Sequence, residues 1–512
     1  YWSKGLFAFS TLIKPLFALA EITKKHNKTW IADFLSMPCV RHHLDPELTP
    51  YQNIYFLPAG QTLIVRPGGI AKKVYWQVER QPELKLKSDS EYEEAFRVVL
   101  GEAVHCRLRS IRPVGVMMSG GLDSTSVACM AARELAGSGQ RLQTFSAVPM
   151  TGYRDWINSS SIKADETPFI EQIREYTENI DITYCRSDGI HSLSNTDRLI
   201  ATLEQPYKIF ENLFWIDNIM AAAKENNVGV LLTGAAGNVT ISWGRTHPYL
   251  LTLLRAAQWR KFFYEGWAFA RRFNHPYKLL MKMFWECVPF DIRKKLDRRE
   301  ANRRYKMAQD LSPINPDFAL RASINERFHR FGYDPLFAKP KDCWEERKER
   351  LSPDLFSQGS VVSAKEGLAY RIALRDPTAD KRVIEFCLSV PDSQYVRGGR
   401  GRLLLRRAMV GILPDRVRRN EKIQGRQSAD WTQRLQPSWP GLAAEIRKIG
   451  ALEAEREYLD VSKSQRELAK YSIIDDDAAD DSSLRMLIRS LIFSRFLNYE
   501  DITAKSNIGD GI

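Results

Sequence analysis

At 512 residues the chain is too long for one hydrophobic core and reads as roughly two to four domains. Hydrophobic residues make up 44% and charged residues 27%, which excludes a wholly disordered, collagenous or multi-span membrane chain. No apolar stretch approaches the roughly 18 residues of a membrane helix, and the net charge of +13 asks for an acidic partner without choosing which.

The chain opens at Tyr1 rather than Met, with no basic-then-apolar signal segment, so an upstream part is expected to be missing or removed. The apolar run Gly5 to Ala20 is broken by Lys14 and Pro15, and reads as a strand and a short helix of a domain interior. Gly5-Leu-Phe-Ala-Phe-Ser, Ile54-Tyr-Phe-Leu, Gln61-Thr-Leu-Ile-Val and Lys73-Val-Tyr-Trp are short β-type runs. Pro58-Ala-Gly and Pro67-Gly-Gly separate them, so residues 1–85 are expected to form an antiparallel β-rich domain. Glu79 to Ser90 is polar and reads as a linker. Phe96, Val99, Leu100 and Val104 then give Glu91 to Leu108 helical apolar spacing.

At Arg112 the pattern changes. Pro113-Val-Gly-Val-Met-Met is a continuous apolar run, as for a parallel strand buried on both faces. A glycine turn and an Ala-rich helix (Ser124 to Leu135) follow, then a strand over Leu142 to Val148 and a helix from about Pro168 to Glu178. Further strands are expected at Ile180 to Tyr184 and at Val228-Gly-Val-Leu-Leu-Thr. This alternation predicts a doubly wound α/β sheet across residues 86–244.

Beyond Gly244 the chain is expected to be largely helical, divided into a 245–360 insert and a 361–512 segment. Residues 250–310 interleave aromatics with basic residues, as in Trp259-Arg-Lys-Phe-Phe, Arg271-Arg-Phe, Arg293-Lys-Lys and Arg298-Arg. They read either as a binding wall or as amphipathic helices with a core face. The run Asp475-Asp-Asp-Ala-Ala-Asp-Asp is expected as a solvated loop before a final amphipathic helix with Leu484, Leu487, Leu491 and Phe496. Seven scattered cysteines, from Cys39 to Cys387, form no CxxC pair and no zinc-ligand spacing. A reduced, cytoplasmic setting is the expectation.

The most informative segment is Ser119-Gly-Gly-Leu-Asp-Ser. Two glycines after a buried strand let backbone N–H groups approach a ligand, and the following helix points its positive dipole end at the same spot. Ser119 and Ser124 add hydroxyl donors, and Asp123 can hold a divalent cation. Together they make a cradle for pyrophosphate and Mg²⁺. It is not the GxxxxGK[ST] loop, which would direct chemistry to the γ-phosphate.

This segment resembles the PP-loop of ATP-pyrophosphatases and, more narrowly, that of the asparagine synthetase branch. Phe7-Ala-Phe-Ser-Thr-Leu-Ile-Lys, Tyr51-Gln-Asn-Ile-Tyr-Phe-Leu-Pro-Ala-Gly and Tyr75-Trp resemble the later part of that family's glutaminase-like domain. Arg375-Asp-Pro-Thr-Ala-Asp-Lys-Arg-Val-Ile-Glu-Phe and Leu413-Pro-Asp-Arg-Val-Arg-Arg-Asn-Glu-Lys resemble two C-terminal segments, the second of which holds the family's catalytic lysine. The resemblance implies an N-terminal β-rich, Ntn-hydrolase-like domain over 1–85. A PP-loop synthetase domain with a mostly helical C-terminal part would follow. The family's nucleophile is a cysteine at the mature first residue, a position that the matched later part of the domain does not include, and a scaffold that hydrolyses no glutamine is the expectation.

The departures narrow the reading. Asparagine synthetases carry S-G-E-G-G-D-E after the fourth strand, whereas this chain has Thr233-Gly-Ala-Ala-Gly-Asn-Val. Ala235 replaces the glutamate, and Asn238 and Val239 replace the two carboxylates. Ala235 also stands where β-lactam synthetases place a tyrosine. With Arg375-Asp-Pro-Thr-Ala-Asp and Gly425-Arg-Gln-Ser-Ala-Asp-Trp, the chain is similar to lasso peptide cyclases, which are macrolactam synthetases of ribosomally made peptides. The resemblance implies that ATP adenylates an Asp or Glu side chain of a precursor core peptide, and that the peptide's freed N-terminal amine then closes an isopeptide bond. AMP and pyrophosphate are released. Implied partners are the precursor peptide, a leader-binding protein and a leader peptidase, with no nucleic acid and no membrane span.

The same resemblance implies that Ser119, Gly120, Gly121, Asp123, Ser124, Gly234 and Gly237 hold ATP, and that Asp123 and Asn238 hold Mg²⁺. Lys422 is implied as the catalytic cation, the alternative being a solvated surface lysine. Glu204, in Leu203-Glu-Gln-Pro, is a candidate base, although an amine of near-neutral pKa needs little help. Asp165-Glu166 is either a site acidic pair or a helix-start cap beside Pro168. The rival readings are a glutamine-hydrolysing asparagine synthetase or other small-molecule amide ligase, and a PP-loop protein that modifies or binds nucleic acid.

Overall fold

A computed structural model describes the chain except at residues 4, 39, 158, 160, 273–275, 298, 300–309, 336–339 and 510–512. Cys39 and Arg298 of the sequence reading lie outside the described residues. At the centre is a five-stranded parallel sheet of β5 (Val114–Met117), β6 (Leu142–Ala147), β8 (Ile180–Cys185), β9 (Val230–Leu232) and β10 (Ala373–Arg375). Their order is β10-β9-β5-β6-β8. β5 is central, between β9 and β6, and a Cβ on Gly115 would lie 3.0 Å from both Leu231 and Phe145 of those strands, on one face of the sheet.

Two hydrophobic layers sandwich the sheet. On one side pack α2 (Asp89–His105), α3 (Leu122–Ala136) and α4 (Thr167–Thr177), through Phe96, Leu100, Val127, Ala131 and Ile170. On the other lies α6 (Phe210–Glu225), which follows α5 (Thr196–Leu203) in the chain, through Ile219, Met220 and Ala223 against Phe145 and Leu231. Helices on both faces are what an all-parallel sheet requires. Ser88 caps α2 by accepting from Glu91 N–H at 3.3 Å, and the amphipathic spacing of Tyr92, Phe96, Leu100 and Val104 sets its buried face. The doubly wound sheet is as expected, but its outermost strand β10 comes from beyond the helical insert. The boundary expected at 360 falls inside a continuous helix, Pro353–Tyr370.

Residues 1–85 hold less strand than expected. They contain two separate antiparallel pairs, β1 (Trp2–Ser3) with β2 (Leu6–Phe7), and β3 (Gln61–Arg66) with β4 (Gly69–Val74). Ile54 to Leu57 forms only an isolated bridge at Tyr55. A helix the pattern did not predict, α1 (Lys28–Ser36), is capped by Asn27 and buried on almost every side. Trp30, Phe34 and Leu35 join a core with Leu484, Leu487, Leu491 and Phe496 of the last helix, Ser482–Gly509.

The acidic run is also corrected. Asp476–Asp480 forms a 3₁₀ turn with Ala479 fully buried, and Asp480 pairs with Arg426 at 2.6 Å and Arg485 at 3.7 Å. Arg426 in turn lies over the Trp156 ring at 4.8 Å, and β7 (Ile162–Lys163) pairs in parallel with β11 (Gln424–Gly425). These contacts fasten the 420–430 loop beside the sheet. No described helix is long and apolar enough to cross a membrane.

Candidate active site

From β5 the chain winds outward through β6 and β8, then crosses back to β9 on the other side of β5. An open parallel sheet offers its ligand crevice at such a switch point, beyond the carboxyl ends of the strands. The turn after β5 and the turn after β9 line one cavity of about 820 Å³ there.

The first turn is held by its own hydroxyls. Ser119 N–H donates to Ser124 Oγ at 3.1 Å, the two hydroxyl oxygens are 3.0 Å apart, and Gly121 N–H donates to Ser119 Oγ at 3.2 Å. Gly121 is the N-cap of α3 and supplies no capping side chain, which leaves the helix's first amides for a ligand. Gly120 also lines the cavity, but packing explains it: a Cβ there would come within 2.8 Å of Phe169 Cβ on α4. A Cβ on Gly121 would meet Ser119 Oγ at 3.2 Å.

Asp123 projects from the first turn of α3 into the cavity wall. Its Oδ1 is buried and accepts no hydrogen bond. Burial pushes its pKa up to about 6, against a Ser242 hydrogen bond and the charge of Arg402. Gly234 and Gly237 bring the second turn against it. A Cβ on Gly234 would stand 2.9 Å from Ser124 N, and one on Gly237 only 2.4 Å from Asp123 Cγ. Gly234 lines the cavity, whereas Gly237 lies behind the Asp123 side chain, so close packing replaces its expected contact with a nucleotide. Asp376, next to β10, accepts from Ala236 N–H at 2.9 Å and fixes this second turn.

An orphaned, buried carboxylate oxygen beside an open helix N-terminus fits a divalent cation. Mg²⁺ is usually held by one or two carboxylates, with phosphate oxygens and water completing the shell. Among the described residues no group of three or more His, Cys, Asp and Glu gathers for a metal, so Asp123 would share the ion with phosphates. Asn238 does not fit the metal role expected of it: its Oδ1 accepts from the Arg402 guanidinium at 3.0 Å, a cation where a metal would need a free oxygen.

Two carboxylates add to the cavity lining. Glu166, at the start of α4, is pushed up to about 7 by burial and by Asp165. Asp165 accepts from Thr167 N–H at 2.9 Å at the start of the helix, while Glu166 is the residue of the pair that lines the cavity. Glu366 is 2% exposed, and neither carboxylate oxygen has a hydrogen-bond partner. Burial pushes it up to about 7, Arg198 at 3.9 Å pulls it down, and Asp217 pushes it further up. The same cavity is also lined by Leu213, Phe214, Ile216, Val362 and Leu374.

Positive charge comes from positions that the sequence reading passed over. Arg402 and Arg406 both line the cavity. Arg406 has a buried Nε without a partner, and burial lowers its pKa to about 10. The run Arg397-Gly-Gly-Arg-Gly-Arg, with its glycines beside basic side chains, was the available signal for Arg402. Glu366 carried none, lying mid-helix beside Lys365.

Lys422 is exposed and does not line the cavity, although its neighbours Asn420, Glu421 and Ile423 do. Glu421 is held by Arg272 at 2.6 Å and Arg400 at 2.9 Å. Glu204 must be removed from the site. Its carboxylate accepts from Ile13 N–H at 2.8 Å, Lys14 N–H at 2.6 Å and the buried Lys365 ammonium at 2.6 Å. Saturated in this way, and absent from the cavity lining, it ties the N-terminal segment to the helix Pro353–Tyr370.

Comparison with known proteins follows the same residues. The family model described as Asparagine synthase matches residues 95–491. The chain is 32% identical over 179 residues to "Putative asparagine synthetase [glutamine-hydrolyzing] 2" of Methanocaldococcus jannaschii, covering 34% of this chain and 31% of that protein. It is 34% identical over 131 residues to "Amidase chry2" of Gibberella zeae, covering 23% and 20%. It is 23% identical over 419 residues to "Asparagine synthetase [glutamine-hydrolyzing] 3" of Bacillus subtilis, covering 80% and 60%. The chain thus spans less than two thirds of each of these relatives.

Proposed function

This chain belongs to the asparagine synthase family, and from that premise we propose that it is an ATP-dependent, AMP-forming amide ligase acting on a peptide. Within that class it is a macrolactam synthetase: it adenylates an Asp or Glu side chain of a ribosomal precursor peptide and joins it to the peptide's own N-terminal amine. A leader-binding protein and a leader peptidase would supply that amine.

One observation carries the peptide reading. A free amino acid needs fixed charges for both its ends, yet Ala235 and Asn238 stand in the second turn. Glu366, whose carboxylate accepts no hydrogen bond, shares the cavity with Leu213, Phe214, Ile216, Val362 and Leu374, while the buried Asp430 on the same lining is already paired with Arg434. That chamber suits a side chain presented by a longer molecule.

The steps follow from the wall. The substrate carboxylate attacks the α-phosphorus, the bond to the bridging oxygen of the β-phosphate breaks, and pyrophosphate leaves. The open amides at the start of α3, with Arg402 and Arg406, meet its growing charge in a partly desolvated site. Mg²⁺, when bound, would be held by Asp123 and would neutralise phosphate charge. The amine then attacks the acyl carbon, AMP departs with the electron pair, and the amine proton passes to Glu366. A pKa of about 7 suits a group that takes a proton near neutrality. Lys422, next in the chain to the cavity-lining Glu421 and Ile423, would stabilise charge on the acyl phosphate.

Incubation with ATP, Mg²⁺ and a leaderless linear peptide should yield AMP and a product lighter by one water, detected by mass spectrometry. AMP formation with free aspartate and glutamine alone would instead establish the second reading, asparagine synthesis, which the names of two relatives favour.

A further inference from the structure

The helices α7 (Thr246–Arg255), α8 (Trp259–Ala270) and α9 (Pro276–Cys287) pack on one another beside the cavity. On α8, Phe262, Glu265, Gly266 and Ala270 are buried. The opposite arc, about 100° wide at helical spacing, carries Arg260, Phe263, Tyr264, Trp267 and Arg271. Trp267 meets Tyr277 of α9 with ring centroids 5.2 Å apart, so the two helices present one surface. Phe263 is 52%, Tyr264 64%, Tyr277 71% and Met281 68% exposed. Lys278 and Lys282 flank them, the latter 3.8 Å from Glu286.

This surface adjoins the cavity. Glu265 Oε2 accepts from Gly399 N–H at 2.9 Å, and Arg272, just past α8, donates to Gly399 O at 2.9 Å while lining the cavity. Gly401 and Arg402 of the same loop line it too. A chain lying along α8 and α9 would therefore continue toward the reacting groups.

We propose that this face docks the part of the peptide substrate that lies outside the cavity, a segment bearing both acidic and apolar side chains. The inference rests on the peptide reading above. Aromatic rings offer large contact area at low entropic cost, and the surrounding Arg and Lys favour carboxylates over cations. Binding beside the cavity also restrains the substrate before the bond closes, raising its effective concentration there.

The test uses the full chain without ATP and three fluorescein-labelled peptides of equal length. One is acidic and aromatic, one has Lys for every acid, and one has Ser for every apolar residue. Anisotropy should show the first binding at least about tenfold more tightly than the others. Arg260→Glu/Lys278→Glu/Lys282→Glu and, separately, Trp267→Ala/Tyr277→Ala should each weaken it by a similar factor. The charge variant alters exposed side chains only, so its melting temperature should match wild type. Equal affinity for the three peptides, or for wild type and both variants, overturns the proposal. So does binding confined to vesicles of phosphatidylglycerol, which would mark a membrane surface instead. Because binding is read without ATP, failure of every peptide to yield AMP in the separate incubation with ATP and Mg²⁺ sinks the ligase reading alone. AMP formation together with unaltered binding in both variants sinks the docking face alone.

Discussion

Gly237 and Asp123 are packed so closely that a single methyl group on the glycine would come within 2.4 Å of the carboxylate carbon. The two residues sit on different turns, after β9 and at the start of α3, and the contact sets where the orphaned Asp123 oxygen points. Gly237→Ala must displace one turn or the other. Overpacking of this kind costs about 1–3 kcal/mol, and pyrophosphate release is expected to fall at least about tenfold. Asp123→Asn should remove pyrophosphate release with no loss of melting temperature. Wild-type rates in either variant would refute the placement of Asp123 in the phosphate site.

Glu366 gives a pH signature whose sign is fixed. Its folded pKa is raised from the ordinary 4.5 to about 7, so the native state holds the proton more tightly than the unfolded chain. The stability it contributes is present below about pH 4.5 and is lost as pH rises through about 7. Glu366→Gln mimics the protonated form. The variant should match wild type at pH 4.5 and exceed it at pH 8 by on the order of 1–3 kcal/mol. Amide formation should lose its rise near pH 7 in the variant, while pyrophosphate release persists. Denaturant melts at the two pH values and a pH–rate profile check both.

Arg402 and Lys422 separate the two half-reactions. Arg402 lines the cavity, and Arg402→Gln should slow pyrophosphate release about 10²-fold, the usual loss for one preorganised donor. Lys422 is exposed outside that wall. Lys422→Ala should leave pyrophosphate release within about threefold and reduce amide product instead. Pyrophosphate detection and product mass spectrometry distinguish the steps, and the opposite pattern would exchange the two roles.

Glu204 should behave as a structural residue. Its pair with Lys365 is buried, at 2% and 3% side-chain exposure, and removing one partner of such a pair typically costs about 3–5 kcal/mol. Glu204→Gln should unfold at lower denaturant, yet turn over normally per folded molecule. A variant of wild-type stability that had lost amide formation would restore it to the catalytic set.

The central turn was legible because every level of the sequence agreed there: an apolar strand, two glycines, an acidic first helical turn and an Ala-rich helix. Glu204 misled because Glu-Gln-Pro fits a family segment, while its partners Ile13, Lys14 and Lys365 lie far off in sequence. The helix at Lys28–Ser36 escaped since Trp30 through Ser36 are all buried, which erases the apolar period that marks a half-exposed helix. Only its cap, Asn27, announced it. Likewise, β10 is three residues, and Asp380 beside it pairs with Arg107, far back in the chain. Such pairings exist only once the chain has folded.

Because β10 covers the outer side of β9 and is made some 140 residues later, synthesis has a vulnerable interval. A nascent chain that has emerged only to Gly244 presents Val230-Leu-Leu as a bare apolar edge, a template for intermolecular pairing. Stop codons or ribosome stalls before Arg375 should therefore yield insoluble aggregates rather than a smaller working enzyme.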